Sequence, residues 1–135
     1  MIVTIGQIKR VLRDESGLTV HGFKISDEGY WIEDHGEFFT DDSLKQIQTC
    51  VDWLRQFQGR PRRTSVSSFA LRDEVSKMMP EVSIPHGRMV LAVLVTRLKY
   101  SRRPDRSDID VFLHTKEWMR ATSLQMPLMR PLEAT

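Results

Sequence analysis

The chain has 135 residues, of which 40% are hydrophobic and 28% are charged, a globular composition that fits one domain with a core and excludes fibrous or low-complexity chains. The formal net charge of +2 conceals an asymmetry, because residues 1–54 carry five basic and ten acidic side chains and residues 55–135 carry fifteen basic and eight acidic ones. We therefore expect an acidic front half joined to a basic centre.

Cysteine content and apolar runs narrow the class of protein further. Cys50 is the single cysteine, so neither an intramolecular disulfide nor a multi-cysteine zinc site can form. The N-terminus lacks the basic segment and apolar stretch of a signal peptide. The longest fully apolar run, Met89–Val95, has seven residues, whereas a membrane span requires about twenty. These features predict a cytoplasmic protein that does not cross a membrane.

The first elements are a short helix and a small meander. Ile5, Ile8 and Leu12 recur at helical spacing and predict an amphipathic helix over residues 4–14. The segments 18–25 and 30–39 flank the turn sequence SDEG and predict a β-hairpin, extended by a short third strand at Glu37-Phe38-Phe39.

The clearest helix of the sequence follows this meander. Asp41 or Asp42 is predicted to cap it, and Gly59 stands where the chain can turn out in a left-handed conformation. Its apolar stripe consists of Leu44, Ile47, Val51, Leu54 and Phe57.

Two further helices are predicted in the centre of the chain. Ser67 or Ser68 caps the first, which stops before Pro80. Pro85 suits the first turn of the second, over residues 85–98, where its missing N–H costs nothing. Because this second helix has no polar face across its middle, we expect it to be the most buried element.

The remaining segments are two basic loops, a strand and a tail. Residues 60–64 and 100–107 are predicted as basic loops, residues 108–113 alternate as a strand, and the tail from about 121 has no clear period. Together these elements predict one α+β domain with a small antiparallel sheet packed on three or four helices. Its parts are an acidic α/β part (1–40), a basic helical part (41–120) and a loosely packed tail (121–135).

The two basic loops supply the first candidate site. If the two central helices fold back antiparallel, the loops approach the same end of the pair, where arginine forks match phosphate oxygens. The alternative is a solvated surface in which these arginines pair partly with Asp105, Asp108 and Asp110. The candidate nucleic-acid or partner contacts are Arg60, Arg62, Arg63, Arg72, Arg97, Lys99, Arg102, Arg103 and Arg106.

The length and turn placement of residues 67–98 also suit a helix-turn-helix, in which the second helix enters the major groove. Its residue content argues against that docking, because the polar side chains of the second helix lie near its ends. A core helix is the alternative. Candidate contacts of equal weight lie on the preceding helix, at Ser65, Ser67, Ser68 and Arg72.

Catalytic and metal-site patterns are weak. The four histidines, at positions 21, 35, 86 and 114, show no paired metal-ligand spacing, so we predict no metal and no cofactor. Asp105, Asp108 and Asp110 resemble a nuclease cluster but are interspersed with arginines, which favours surface ion pairs. No phosphate loop, nucleophile elbow or Cys–His signature is present in the sequence. We therefore predict a non-enzymatic protein.

The acidic front half permits a separate hypothesis. Carboxylates cluster near its turns beside Tyr30, Trp31, Phe38 and Phe39. Acidic side chains on a rigid hairpin can imitate a phosphate backbone. The alternative is a set of solvated turns above a small aromatic core.

One stretch has a specific likeness. Four parts of the sequence resemble a pattern of small uncharacterised phage and plasmid proteins. They are Val51-Asp52-Trp53-Leu54-Arg55, Ser67-Ser68-Phe69-Ala70-Leu71-Arg72, Glu74 and Ile84-Pro85-His86-Gly87-Arg88-Met89-Val90-Leu91-Ala92. The phage and plasmid proteins carry, in the same order, Trp-Leu, Ser-Ser-Tyr-x-Leu-Lys-His, a Glu and Ser-Asn-Gly-x-Phe-Ile-x-Ala-Ala. The likeness covers residues 50–112 and departs from the pattern at Asp73 and at Pro85-His86.

The resemblance implies a mobile-element setting, in which short basic proteins are DNA-binding regulators or inhibitors of host defence complexes. Combined with the charge layout, it predicts a protein that binds a nucleic acid or a host nucleoprotein complex, foremost as an anti-CRISPR-like inhibitor. The alternatives are a helix-turn-helix-like transcriptional regulator and a metal-dependent nuclease using the three aspartates.

Overall fold

The computed structural model describes residues 1–23, 35–59, 64–80, 83–103 and 105–125. Within these residues, five α-helices and two small antiparallel sheets confirm the predicted α+β class. The helices are α1 (Ile5–Asp14), α2 (Asp41–Leu54), α3 (Ser68–Met78), α4 (His86–Thr96) and α5 (Thr115–Gln125). The strands are β1 (Leu18–Thr19), β2 (Gly22–Phe23), β3 (Thr64–Ser67), β4 (Tyr100–Arg102) and β5 (Ile109–Leu113).

Helix α1 begins at a capping box, which explains its sharp start. The Thr4 hydroxyl accepts a hydrogen bond from the Gln7 N–H, and the Gln7 side chain accepts one from the Thr4 N–H. Two of the free amides of the first turn are thereby satisfied. The predicted helix is confirmed; Ile8 and Leu12 of its apolar stripe are buried, whereas Ile5 is exposed.

Helix α2 confirms the strongest sequence prediction, but its cap lies elsewhere. Thr40, rather than Asp41 or Asp42, accepts a hydrogen bond from the Ser43 N–H. The two aspartates lie in the first turn, where their charge faces the positive end of the helix dipole. Gly59 adopts the expected positive φ of 74° after a single 3-10 turn.

The predicted meander is only partly present. The prediction of one strand over residues 18–25 is wrong, because β1 and β2 lie within that segment and form a tight hairpin of their own, in which Leu18 pairs with Phe23. The predicted turn at 26–29 and the first half of the predicted partner strand lie in residues 24–34, outside the described residues. The strand predicted at Glu37-Phe38-Phe39 is wrong, because His35–Phe39 is a 3-10 helix. Its three-residue turn places Phe38 in the core while Phe39 is half-buried.

Helix α4 occupies the centre of the molecule, as its uninterrupted apolar sequence predicts. Nine of its eleven residues are buried, and α1, α2, α3 and the β1–β2 hairpin all pack against it. Pro85 occupies the N-cap position instead of the first turn, and the helix ends at Thr96.

The three-stranded sheet corrects both loop predictions. Its strand order is β3-β5-β4, and both neighbours run antiparallel to β5. The alternating sequence predicts β5 correctly, whereas the prediction of loops at Thr64 and Tyr100–Arg102 is wrong. These short polar segments are strands because their main chains pair with β5, an interaction that their own side-chain pattern does not encode.

Helix α5 also differs from the prediction of a tail without period from residue 121. The helix runs through Gln125 and places Ala121 in the core. It packs on α3 and on the 3-10 turn that follows α2, with Trp118 partly buried against the core. This contact is between distant parts of the chain, so a local period gives no sign of it.

Candidate nucleic-acid interface

The segment 97–103, here called the basic segment, leaves the end of α4 and enters β4. Arg97 caps α4 in the left-handed conformation, with φ of 61°, and its N–H donates to the Leu94 carbonyl. Arg97, Lys99 and Arg103 are exposed. Among the described residues none of the three forms an ion pair with a carboxylate. The basic segment therefore presents free cations on the surface.

Arg106, by contrast, is fully engaged by a carboxylate. Its Nε and Nη2 donate to the two oxygens of Asp108 at 2.8 and 2.7 Å, and the Ser67 hydroxyl donates to the same carboxylate at 2.6 Å. Burial alone would raise the pKa of Asp108, but the hydrogen bonds from Ser67 and Arg106 outweigh it and hold that pKa below its usual value. This fork ties residues 106–108 to the start of α3.

Arg102 is held by the acidic front half of the chain. Its guanidinium lies 3.9 Å from the centroid of the Phe23 ring and 3.6 Å from Glu15, whose other oxygen accepts a hydrogen bond of 2.8 Å from Tyr100. Burial and this hydrogen bond raise the pKa of Tyr100 to about 12. The alternative of partial pairing with Asp105, Asp108 and Asp110 is thus confirmed for Arg106, which pairs with Asp108, but not for Arg102, whose partner is Glu15.

Arg72 is also only partly free. It donates to the neighbouring Asp73 at 3.2 Å and lies 5.6 Å from the centroid of the Phe69 ring. Of the described candidates, the three arginines at 72, 102 and 106 thus have acidic partners. The cations of the basic segment at 97, 99 and 103 do not.

The two basic loops were predicted to lie at the same end of the helical pair, and the register of the three-stranded sheet shows how far apart their flanking residues are. Arg60, Arg62 and Arg63 lie outside the described residues. Thr64, the next residue, pairs with Leu113, whereas Arg102 pairs with Ile109 at the other end of β5. Four residues of strand separate these two points by about 13 Å. Thr64 and Arg102 therefore do not meet at one end of the sheet.

One face of the three-stranded sheet points away from the core, and we call it the outer sheet face. Ile109, Val111 and Leu113 of β5 are buried on the inner face, so Asp110 and Phe112 lie on the outer one. The residues paired with or adjoining them complete this face: Ser65, Ser67, Lys99 and Ser101.

The predicted helix-turn-helix pair exists as α3 and α4, but α4 is enclosed by other elements. His86 and Thr96, polar side chains near its two ends, are themselves buried. A recognition helix needs an exposed row of polar side chains to reach base edges. Helix α4 has no such row.

A buried Ser–His pair was missed by the sequence analysis. Ser68 Oγ and His86 Nε2 share a hydrogen bond of 2.7 Å, and the Ile109 N–H donates to the same hydroxyl at 3.1 Å. The His86 ring stacks on Phe69 with centroids 3.9 Å apart. Burial, followed by the charge of Arg72, lowers the pKa of His86 to about 4. The sequence does contain a signal for this pair: His86 stands at the start of an apolar helix, and the helix before it begins at two consecutive serines, Ser67 and Ser68.

The Ser68–His86 hydrogen bond has a structural role, and we call it the Ser68–His86 latch because it holds neighbouring elements together. The nearby carboxylate, Asp108, binds Ser67 and Arg106, while His86 Nδ1 faces Gly22 of the hairpin. A nucleophilic serine needs access to substrate and a histidine oriented by a third group. Ser68 is fully buried, so the latch joins α3, α4, β5 and the hairpin instead.

The three aspartates of the nuclease hypothesis do not converge. Asp108 is buried in its fork with Arg106, and Asp105 is exposed. Over the part of the chain that the structure describes, no group of three or more His, Cys, Asp or Glu side chains is placed to hold a metal ion.

Fold and surface together define a small α+β protein with a buried central helix, a three-stranded sheet open on one face and an exposed basic segment at its edge. Comparison with protein-family models, with curated proteins and with solved structures gives no match. No helix in the described ranges is long and apolar enough to cross a membrane.

Proposed function

We propose that the protein is a non-enzymatic phage- or plasmid-type accessory protein that binds a nucleic acid, either free or within a host nucleoprotein complex. The observation that carries this proposal is the exposure of Arg97, Lys99 and Arg103 on the basic segment, without a carboxylate partner in the described part of the chain. Cations of this kind bind phosphate oxygens and release counterions on doing so.

The backbone of Arg97 gives independent support. Its left-handed conformation is one in which glycine avoids the steric cost that a side chain incurs. Strained residues of this kind cluster at functional sites. An arginine in that position places a guanidinium at the end of α4, beside the edge strand.

Inhibition of a host defence assembly, such as a CRISPR surveillance complex, is the activity we propose within this class. It combines the mobile-element setting implied by the sequence resemblance with a basic surface that fits the nucleic acid of such a complex. Transcriptional regulation by a helix-turn-helix is the weaker candidate, because enclosure of α4 removes the helix that would enter the groove.

A pull-down from bacterial lysate, with and without nuclease treatment, tests this proposal. Recovery of a host protein complex that persists after nuclease treatment supports the inhibitor. Recovery of nucleic acid alone supports direct nucleic-acid binding and contradicts inhibition of a complex. Recovery of neither by the parent protein contradicts the proposed function.

Charge reversal locates the surface responsible. Lys99→Glu/Arg103→Glu is expected to abolish capture at physiological salt, because each reversal replaces a phosphate contact by repulsion. The matched control is Lys9→Glu/Arg10→Glu, which makes the same charge change at two exposed positions of α1. Arg62→Glu/Arg63→Glu tests the predicted contacts outside the described residues. Equal loss in the α1 control would show that net charge, and not the basic segment, governs binding.

A further inference from the structure

We propose that the outer sheet face binds a single-stranded nucleic acid, with a base stacked on the ring of Phe112 and a phosphate beside Lys99. The inference rests on the proposed function and specifies its ligand as single-stranded. The observation that carries it is an aromatic ring on the polar face of the sheet, next to a free cation.

Phe112 differs from the other half-buried aromatic side chains in having no place in the core. It belongs to the central strand β5 but lies on the face opposite the buried Val111 and Leu113. The half-buried aromatic residues that pack against the core are Phe39, Trp53, Tyr100 and Trp118. The ring of Phe112 is therefore not explained by packing of the interior.

Two of the neighbours of Phe112 in the sheet are small, and the third, Lys99, lies over the ring. Ser65 of β3 is directly opposite Phe112 in the register, and Ser101 of β4 lies diagonally across, opposite Asp110. Both serines are exposed. Side chains of this size do not reach over a neighbouring ring, so the part of the ring that Lys99 does not cover can receive a planar partner from solvent.

The charge next to the ring is positive. The Lys99 ammonium lies 5.9 Å from the centroid of the Phe112 ring, and the Lys99 carbonyl accepts a hydrogen bond of 2.9 Å from the Phe112 N–H. Arg103 directly follows β4 on the same edge of the sheet. A stacked base next to a row of cations is the recurring arrangement of single-strand binding proteins.

A single strand fits this face better than a duplex does. In a duplex both faces of each base are covered by neighbouring bases, so a ring on a sheet has nothing to stack on without breaking the helix. An unstacked base offers its face at no such cost. Asp110, on the same face, repels phosphates and should confine the backbone to the Lys99 side of the sheet.

Phe69 supplies the matched control, because it is exposed but, unlike Phe112, already has another ring stacked on it. His86 stacks on it at 3.9 Å and the Arg72 guanidinium lies 5.6 Å from its centroid. Loss of this ring changes the aromatic content of the surface equally, without removing a free stacking face.

The test is fluorescence anisotropy with a labelled mixed-sequence oligonucleotide, single-stranded or annealed to its complement. We expect the parent to bind the single strand more tightly, and Phe112→Leu to weaken that binding roughly tenfold, the loss typical of one stacked base. Phe112→Tyr keeps the ring and should retain affinity, as should Phe69→Leu. Asp110→Asn is expected to tighten binding. Circular dichroism and thermal melting verify that each variant folds.

The outcomes separate this inference from the proposed function. The stacking site is overturned if the parent binds the single-stranded and the annealed oligonucleotide equally well and Phe112→Leu leaves that affinity unchanged. If Lys99→Glu/Arg103→Glu then abolishes binding, the basic segment remains as the binding surface. Equal losses in Phe112→Leu and Phe69→Leu also overturn the stacking site. Absence of binding to either form at low salt overturns the inference, and the lysate pull-down then decides the proposed function by itself.

Discussion

Gly87, at the start of α4, lies against the β1–β2 hairpin with no room for a side chain. A methyl group there would lie 1.9 Å from the Thr19 carbonyl oxygen, and the Gly87 N–H donates to the Val20 carbonyl at 2.8 Å. We expect Gly87→Ala to lower the free energy of unfolding by about 3 kcal/mol, because the hairpin backbone must move. Gly6→Ala is the control, since its added methyl meets only the Thr4 hydroxyl at 3.8 Å and should stabilise α1 by about 0.5–1 kcal/mol. Urea denaturation measures both, and equal stabilities would refute the docking of the hairpin on α4.

A second effect of a single residue is that titration of His86 makes the free energy of unfolding depend on pH. Its pKa is lowered from 6.5 to about 4 by burial, so the unfolded chain binds the proton more readily than the folded one. Stability is therefore complete above pH 6.5 and declines as the pH falls towards 4. The loss should reach roughly 2 kcal/mol at pH 5 and roughly 3 kcal/mol near pH 4. Urea denaturation between pH 7 and 5 measures it against His86→Gln, which lacks this titration. Parallel profiles for the two proteins would contradict the assignment.

At the scale of elements, Ser67 links the start of α3 to β5 and should matter more than an ordinary cap. It accepts a hydrogen bond from the Phe69 N–H at 3.1 Å and donates to the buried Asp108 at 2.6 Å. Ser67→Ala removes both, and we expect it to lower the free energy of unfolding by about 2–3 kcal/mol. Thr40→Ala removes only the cap of α2, so about 1 kcal/mol is expected. Thermal or urea unfolding compares the two variants. Equal losses would mean that the Ser67–Asp108 bond adds nothing.

The same scale shows which parts of the fold the sequence could predict. Helices α1, α2, α3 and α4 and strand β5 follow from periodicity and end signals, because their local pattern matches the face they bury. Strands β3 and β4 are short and polar and exist through pairing with β5, while α5 depends on packing against α3. The candidate site divides in the same way. Exposed cations at 97, 99 and 103 were predicted by composition. Neutralisation of Arg102 by Glu15, 87 positions away in the chain, and the Ser68–His86 latch depend on tertiary contacts that spacing does not encode.

At the scale of the whole molecule, the acidic front half and the basic centre meet at Glu15. This carboxylate contacts Arg102 and Tyr100 of β4, so the front half restrains one cation of the basic segment. Glu15→Gln keeps an acceptor for Tyr100 but releases the guanidinium. If phosphates bind at this edge, the freed Arg102 neutralises one phosphate more than Arg97, Lys99 and Arg103 do without it.

The salt dependence of binding measures the effect of releasing Arg102. For a single strand, the slope of log affinity against log salt concentration steepens by about 0.7 for each further phosphate that the protein neutralises. Glu15→Gln should therefore steepen the slope by about 0.7, and Lys99→Gln should flatten it by about the same amount. The control is Glu37→Gln, which makes the same change in net charge at an exposed position of the 3-10 helix. Because only cations at the interface release counterions, Glu37→Gln should leave the slope unchanged. Identical slopes for Glu15→Gln and Glu37→Gln would show that the acidic half acts through total charge alone and that Glu15 does not restrain a binding cation.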